Sequence, residues 1–235
     1  YWFIAIHLLT STKKSFSAAE LQRQLGHKRY EPIWTLLHKL REIMGKRDEI
    51  YSLSGVIELD EGFFSTETPD DEKKKPLKRG RGSQKKSKVL VMAESQPVEG
   101  QTTKTGKPRQ VGHIKMIVIN DLKSATITSL VENNVTKEST IDSDDSTSYV
   151  KLKDIVKEHR PQVIPKEEIG KVLPWVHIAI SNAKRMLLDI YHDIKPEYLQ
   201  NYLNEFCYKF NRRYFGENLF DRLMIASVTY KNQFR

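Results

Sequence analysis

The chain has 235 residues, enough for one sizeable core or for a catalytic domain with a small accessory unit. Its formal charge of +9 and pI near 9.4 favour polyanionic partners, because neutralising phosphates releases condensed counterions. No apolar run of about 18 residues, signal-peptide order or lipidation signal is visible, and a single cysteine, Cys207, excludes a disulfide framework or a Cys-rich zinc site; a cytoplasmic setting without a membrane partner is expected.

The first 45 residues read as helices. Trp2 to Leu9 is mostly apolar, and Ser17-Ala18-Ala19-Glu20 is a capping-box pattern for a short helix that Gly26 stops. Pro32 suits a first helical turn, and Trp34, Leu37, Leu40 and Met44 follow at helical spacing with His38, Lys39 and Arg41 between them. Three short helices with a basic third predict a helix-turn-helix-like DNA-binding unit over 1–50, Lys39 and Arg41 being its candidate DNA contacts; the bland alternative is a small bundle that braces the next domain.

From Ser54 the period changes. Val56 to Leu59 is strand-like and ends in Asp60-Glu61-Gly62, while Lys88 to Ala93 and Ile114 to Ile119 are short apolar runs that read as strands buried on both faces. Between the first two lies a charged, glycine-bearing loop (69–88) in which Lys78, Arg79, Arg81, Lys85 and Lys86 are candidate phosphate contacts. A second polar segment, 96–112, reads as a long hairpin loop. A helix (125–135), a short strand (139–141), an acidic turn (142–145) and a further helix (149–159) are predicted next, with Val163-Ile164 as a fifth short strand. Trp175 to Tyr191 is a long helix, Pro196 opens another, and a helical tail (216–235) closes the chain. This order predicts an α/β fold, a mixed sheet flanked by helices.

Three places carry chemistry. Asp60 stands where a buried strand emerges, next to a glycine that allows close approach, and can hold a hard cation. Asp142-Ser143-Asp144-Asp145 puts three acids in four residues, a repulsion that a cation would relieve, although an exposed turn or helix cap explains it equally. Ser181-Asn182-Ala183-Lys184-Arg185 offers a neutral oxygen ligand in Asn182. At about 100° per residue Asn182 and Lys184 are about 200° apart on a regular helix, so Lys184 and Arg185 read as phosphate contacts.

Taken together, TSTKKSFSAAELQRQLG, VIELDEGFF, KRGRG, STIDSDDSTSYVKL, WVHIAISNAKRMLLDIYHDI and LQNYLNEFCYKFNRR occur in the order, and over most of residues 1–215, in which the chain resembles bacterial insertion-sequence DDE transposases, the ISXO-type branch related to eukaryotic Merlin elements. The resemblance implies an RNase H-like catalytic domain over 54–215 with catalytic and metal-binding residues Asp60, Asp144 and Asn182. Asp144 is preferred to Asp142, the runner-up, because the family's second Asp precedes a Tyr by five positions, as Asp144 precedes Tyr149; Asn182 takes the place of the usual third acid, with Glu205 a reserve acid more suited to structure. It further implies two Mg²⁺ (or Mn²⁺) ions, double-stranded DNA partners (terminal inverted repeats and target DNA), a homo-oligomer on DNA and a bacterial, nucleoid-associated location. Relatives often begin with a Cys-rich zinc ribbon, which is absent here, and with Tyr1 in place of Met the chain is expected to begin inside a longer protein. The expected function is metal-dependent DNA cleavage and strand transfer at transposon ends. The alternatives are a non-catalytic DNA-binding protein derived from a transposase and an RNase H-like nuclease that cuts without joining.

Overall fold

The computed structural model describes residues 1–235 except 71, 77, 99–107, 164–171, 192, 232 and 235. It forms two compact units, Tyr51–Asn182 and the pair of segments Tyr1–Ile50 and Ala183–Arg235. Residues 183–215, expected with the catalytic domain, thus cluster with the N-terminal helices, as does the tail.

The first unit is built on five strands, β1 (Val56–Ser65), β2 (Lys86–Pro97), β3 (Arg109–Ile119), β4 (Thr140–Asp144) and β5 (Glu158–Gln162), in the order β3-β2-β1-β4-β5. The β1–β2 and β2–β3 pairs are antiparallel, whereas β1–β4 and β4–β5 are parallel. This is the strand order and sense of an RNase H-like sheet, as the sequence predicts. Alternation along β1 decides its two faces. Ile57 and Leu59 join Leu90, Met92, Ile119 and Ile141 in a core closed by Ile127 and Val131 of α4 (Ser124–Asn134) and by Tyr149 and Leu152 of a 3₁₀ segment (Thr147–Asp154). Glu58, Asp60 and Gly62 point the other way, toward the start of α5 (Pro174–Ile190).

Two expectations change here. Of the acids expected in a turn, Asp142 and Asp144 lie in β4, which is paired by β1 and by β5, and only Asp145 lies beyond its end. The helix expected over 149–159 is the 3₁₀ segment followed by strand β5: Ser146 caps the former, and the Lys157 N–H donates to the Lys137 carbonyl (2.7 Å), drawing the chain alongside β4. Pro161 fits β5 because an edge strand can spare a donor. The fifth strand is therefore 158–162. Val163 follows it without strand pairing, and Ile164 lies outside the described residues.

The helical unit contains α1 (Trp2–Ser11), α2 (Ala18–Leu25), α3 (Tyr30–Glu49), α6 (Leu199–Asn211) and α7 (Asn218–Thr229). Ser17 caps α2, accepting from the Glu20 N–H at 3.1 Å, and Gly26 ends it at φ 59°, both as the sequence predicts. Helix α3 is buried along much of its length, from Ile33 to Gly45, against α2, α6 and α7. At Gly45 an added Cβ would lie within 2.6 Å of the Asn204 amide carbon, so glycine lets α3 and α6 approach closely.

This packing corrects one expected DNA contact. The Arg41 side chain is only 1% exposed: its Nε donates to Glu205 Oε2 at 2.9 Å and its Nη2 to the Tyr191 hydroxyl at 2.7 Å. An arginine buried in the centre of a long packed helix cannot reach phosphate. Ser15 also donates to Glu205 (2.8 Å), and Lys209 stands 3.0 Å from its second oxygen. Burial alone would raise the Glu205 carboxyl, but Lys209 and Arg41 outweigh it and hold the pKa at about 2. Glu205 thus belongs to a structural ion network.

Candidate active site

The site begins with the parallel β1–β4 ladder. Glu58 pairs with Asp142 and Leu59 with Ser143, and Asp60 and Asp144 are the next residues of the two strands, just past the last paired position. Both carboxylates are half-buried. Each is oriented by a local backbone donor, Asp60 Oδ1 by the Glu61 N–H (2.8 Å) and Asp144 Oδ1 by the Ser146 N–H (3.2 Å).

The neighbouring acids differ in their commitments. Asp142 accepts from Arg160 of β5 at 2.8 and 3.3 Å; burial raises its pKa and Arg160 works against that rise. Asp145 is exposed. Of the three acids in 142–145, Asp144 is the one that follows the last β1–β4 pair, as Asp60 does on β1. The hydroxyl of Ser143, between them, lies 2.8 Å from His159 Nε2 and also donates to the Asp144 carbonyl at 2.8 Å.

Tyr149, in the core that Ile57 and Leu59 of β1 join, is fully buried. Burial raises its pKa far above the usual tyrosine value, and the charges of Glu61, Asp60 and Asp144 push in the same direction. The sequence reading used this tyrosine only as a spacing marker.

Helix α5 is fixed to β1 by a remote cap. Pro174, at the first helical position, has no N–H to satisfy, and the next two, of Trp175 and Val176, donate to Glu58 Oε2 at 2.6 and 3.2 Å. Burial raises the Glu58 pKa to about 7 against those two bonds, and the charge of Asp142 adds to the rise. One residue beyond the capped pair, His177 Nδ1 stands 3.7 Å from Asp60 Oδ2. Burial lowers the His177 pKa. Further along, Ile180 packs over Gly62, where an added Cβ would lie 3.4 Å from Ile180 Cγ1.

Asn182 sits elsewhere on this helix. It is exposed and, five residues after His177, lies about 140° round the axis from it. Lys184, seven residues after His177, lies within about 20° of it and is half-buried, and Arg185 is exposed. The helical arithmetic that separates Asn182 from Lys184 would also have singled out His177 as the residue sharing a side with the lysine.

The remaining expected DNA contacts divide by exposure. Lys78, Arg79, Lys85 and Lys86 are exposed in or beside the β1–β2 connection; the side chain of Arg81 lies outside the described residues, and Lys39 is half-buried on α3. Among the described residues, no three His, Cys, Asp or Glu side chains converge to hold an ion. Two carboxylates side by side nevertheless match what Mg²⁺ takes from a protein, since water and substrate phosphates complete its shell. Among the described residues, no helix is long and apolar enough to cross a membrane.

A family model described as the ISXO2-like transposase domain matches residues 52–211, about two thirds of the chain. No curated protein matches. Two solved structures share distant similarity. A pre-cleavage Mos1 transpososome is 11% identical with a TM-score of 0.35, the alignment covering 92% of this chain and 80% of that one. A Mos1 transposase paired-end complex with the left transposon end is 12% identical with a TM-score of 0.36, covering 100% and 80%.

Proposed function

The chain belongs to the ISXO2-like transposase family, and from that premise we propose that it cuts DNA at the ends of a mobile element and joins those ends to target DNA, with Asp60 and Asp144 as catalytic carboxylates. The observation that supports this reading is the parallel β1–β4 ladder, paired up to Leu59 and Ser143, after which Asp60 and Asp144 are the next residues of the two strands. Two acids so placed would hold Mg²⁺ or Mn²⁺, which when bound would supply stabilisation of the charge that develops on phosphate oxygens during in-line displacement.

In the first reaction water attacks the phosphodiester at the transposon end, the P–O3′ bond breaks, and a 3′-hydroxyl is released. In the second that hydroxyl attacks a target phosphodiester, forming one P–O bond as another breaks. The protein's part is positioning. Backbone N–H groups keep both carboxylates in one orientation, and the Glu58 cap holds α5 against β1 beside them. Lys78, Arg79, Lys85 and Lys86 would follow phosphates, giving affinity without sequence choice, and Arg185 would add a contact from α5. Double-stranded DNA is thus the partner, and a homo-oligomer on paired ends the working assembly.

The test is strand transfer. Purified protein is mixed with Mg²⁺, a pre-cleaved transposon-end duplex and a supercoiled plasmid, beside an Asp60→Ala control. Joined product that disappears in the control is expected. Duplex binding without joining under any divalent ion would replace this reading with a non-catalytic DNA-binding protein.

A further inference from the structure

We infer that His159 is a positioning residue for Asp144, acting through the hydroxyl of Ser143. The inference deepens the function proposed above and rests on Asp144 being one of its catalytic carboxylates.

The placement of one hydrogen comes first. Ser143 is fully buried on β4, one residue before Asp144. Its hydroxyl has a single hydrogen, which it donates to the Asp144 carbonyl at 2.8 Å. His159 Nε2 lies 2.8 Å from the same oxygen, so at that contact the serine accepts and the imidazole donates. His159 is therefore the Nε2–H tautomer. Burial lowers its pKa against the charges of Asp142 and Asp145, which favours the neutral ring. Imidazole, hydroxyl and carbonyl form a chain in which each bond polarises the next.

That chain ends where the orientation of Asp144 is decided. Strand β4 stops at Asp144, whose Oδ1 accepts from the Ser146 N–H at 3.2 Å. The carbonyl and the carboxylate of one residue are thus both engaged, the first by Ser143 and the second by the turn that follows. A peptide is planar, so the direction of the Asp144 carbonyl sets the direction in which the chain leaves. A carbonyl released from Ser143 can swing, and with it the Ser146 N–H leaves the carboxylate. The polar edge strand β5 supplies this support. Successive strand residues point to opposite faces, and on β5 they engage successive residues of β4: His159 meets Ser143 on one face, and Arg160 meets Asp142 at 2.8 Å on the other.

The experiment combines a tautomer measurement with a metal titration, on the full chain without DNA. Long-range ¹H–¹⁵N NMR at about pH 8, where histidine is neutral, should show Nε2 protonated and Nδ1 bare on His159, with a shift in Ser143→Ala. Mn²⁺ alone is the probe of the carboxylate. His159→Ala and Ser143→Ala should each lose about tenfold in Mn²⁺ affinity, and the double variant no more than either. His159→Gln, whose amide N–H can replace the imidazole donor, should keep the wild-type value. Ser143→Ala removes a single oxygen and carries the test if His159→Ala folds poorly. A protonated Nδ1, or wild-type affinity in both alanine variants, overturns the inference. So does a loss that His159→Gln fails to restore, the pattern of a side chain that only supports the fold. Wild-type protein that binds Mn²⁺ but joins no DNA ends the transposase reading, while the affinity series still decides for or against His159. Wild-type protein that binds no Mn²⁺ removes the carboxylate site and the inference with it.

Discussion

Replacing Arg41 by Met tests whether a residue of the basic third helix works inside the fold or on DNA. The arginine and Glu205 are 1% and 0% exposed, and Arg41 also reaches the Tyr191 hydroxyl, the Phe16 carbonyl (3.3 Å) and the face of Tyr202, 4.5 Å from its guanidinium carbon. Removing one partner of a buried pair costs about 3–5 kcal/mol, chiefly because the other charge stays buried. Lys209, 3.0 Å from Glu205, leaves that carboxylate one counter-charge, so the low end applies. About 3 kcal/mol is a large share of the 5–15 kcal/mol that typically holds a domain together. The loss should appear in urea denaturation followed by tryptophan fluorescence, Trp34 reporting from the same unit. Adding Glu205→Leu should restore much of the stability, because no unpaired carboxylate then remains. A variant that loses less than about 1 kcal/mol, yet binds duplex DNA more weakly while folded, would refute the reasoning and return Arg41 to the surface.

Two further outcomes follow from other buried groups. Glu58→Ala leaves the Trp175 and Val176 N–H groups without an acceptor and should cost about 2–3 kcal/mol, whereas Glu58→Gln keeps an acceptor oxygen and should cost under about 1 kcal/mol at pH 6, where a carboxyl with a pKa of about 7 is already mostly protonated; equal losses in denaturation at pH 6 would count against the cap. His38 is buried among Trp34, Tyr198, Tyr202 and Phe234, and burial, helped by the Arg41 charge and opposed by Glu205, lowers its pKa from 6.5 to about 3. The unfolded chain binds the proton first, so this contribution is complete above pH 6.5 and is lost as pH falls toward 3, with a slope of up to about 1.4 kcal/mol per pH unit. His38→Phe should flatten stability against pH between 6 and 4 relative to wild type, and an unchanged slope there would exclude His38 as its source.

The apolar elements are legible in the sequence. Continuous runs such as Val89 to Ala93 and helical spacing such as Leu199, Leu203 and Phe206 report burial, and burial is what the fold maximises. Strand β5 was not legible, because Glu158-His159-Arg160-Pro161-Gln162 is polar; it joins the sheet through backbone bonds at an edge. Asp60 and the acidic cluster could be named from sequence, but their juxtaposition depends on a parallel ladder between segments some 80 residues apart. The burial of Arg41 had no local signal either, since its partner lies 164 residues away. The Glu58 cap joins groups separated by 117 residues, and a helix whose first donors are satisfied from a distant strand leaves no capping motif beside it.

The basic connection between β1 and β2 carries a consequence for how such a protein can diversify. Its neck is tied where the strands part, the Thr66 N–H donating to the Lys85 carbonyl (3.0 Å) and the Thr66 and Ser87 hydroxyls meeting at 3.1 Å. Beyond that tie the segment can lengthen at little cost, since doubling a flexible loop adds only about 0.6 kcal/mol of closure entropy. Insertions, deletions or exchanges of charge there would leave the β1–β4 ladder in register, and under the proposed function they would change the grip on nucleic acid. A domesticated or engineered descendant could therefore acquire a new binding preference in one segment without renegotiating the geometry of its carboxylates.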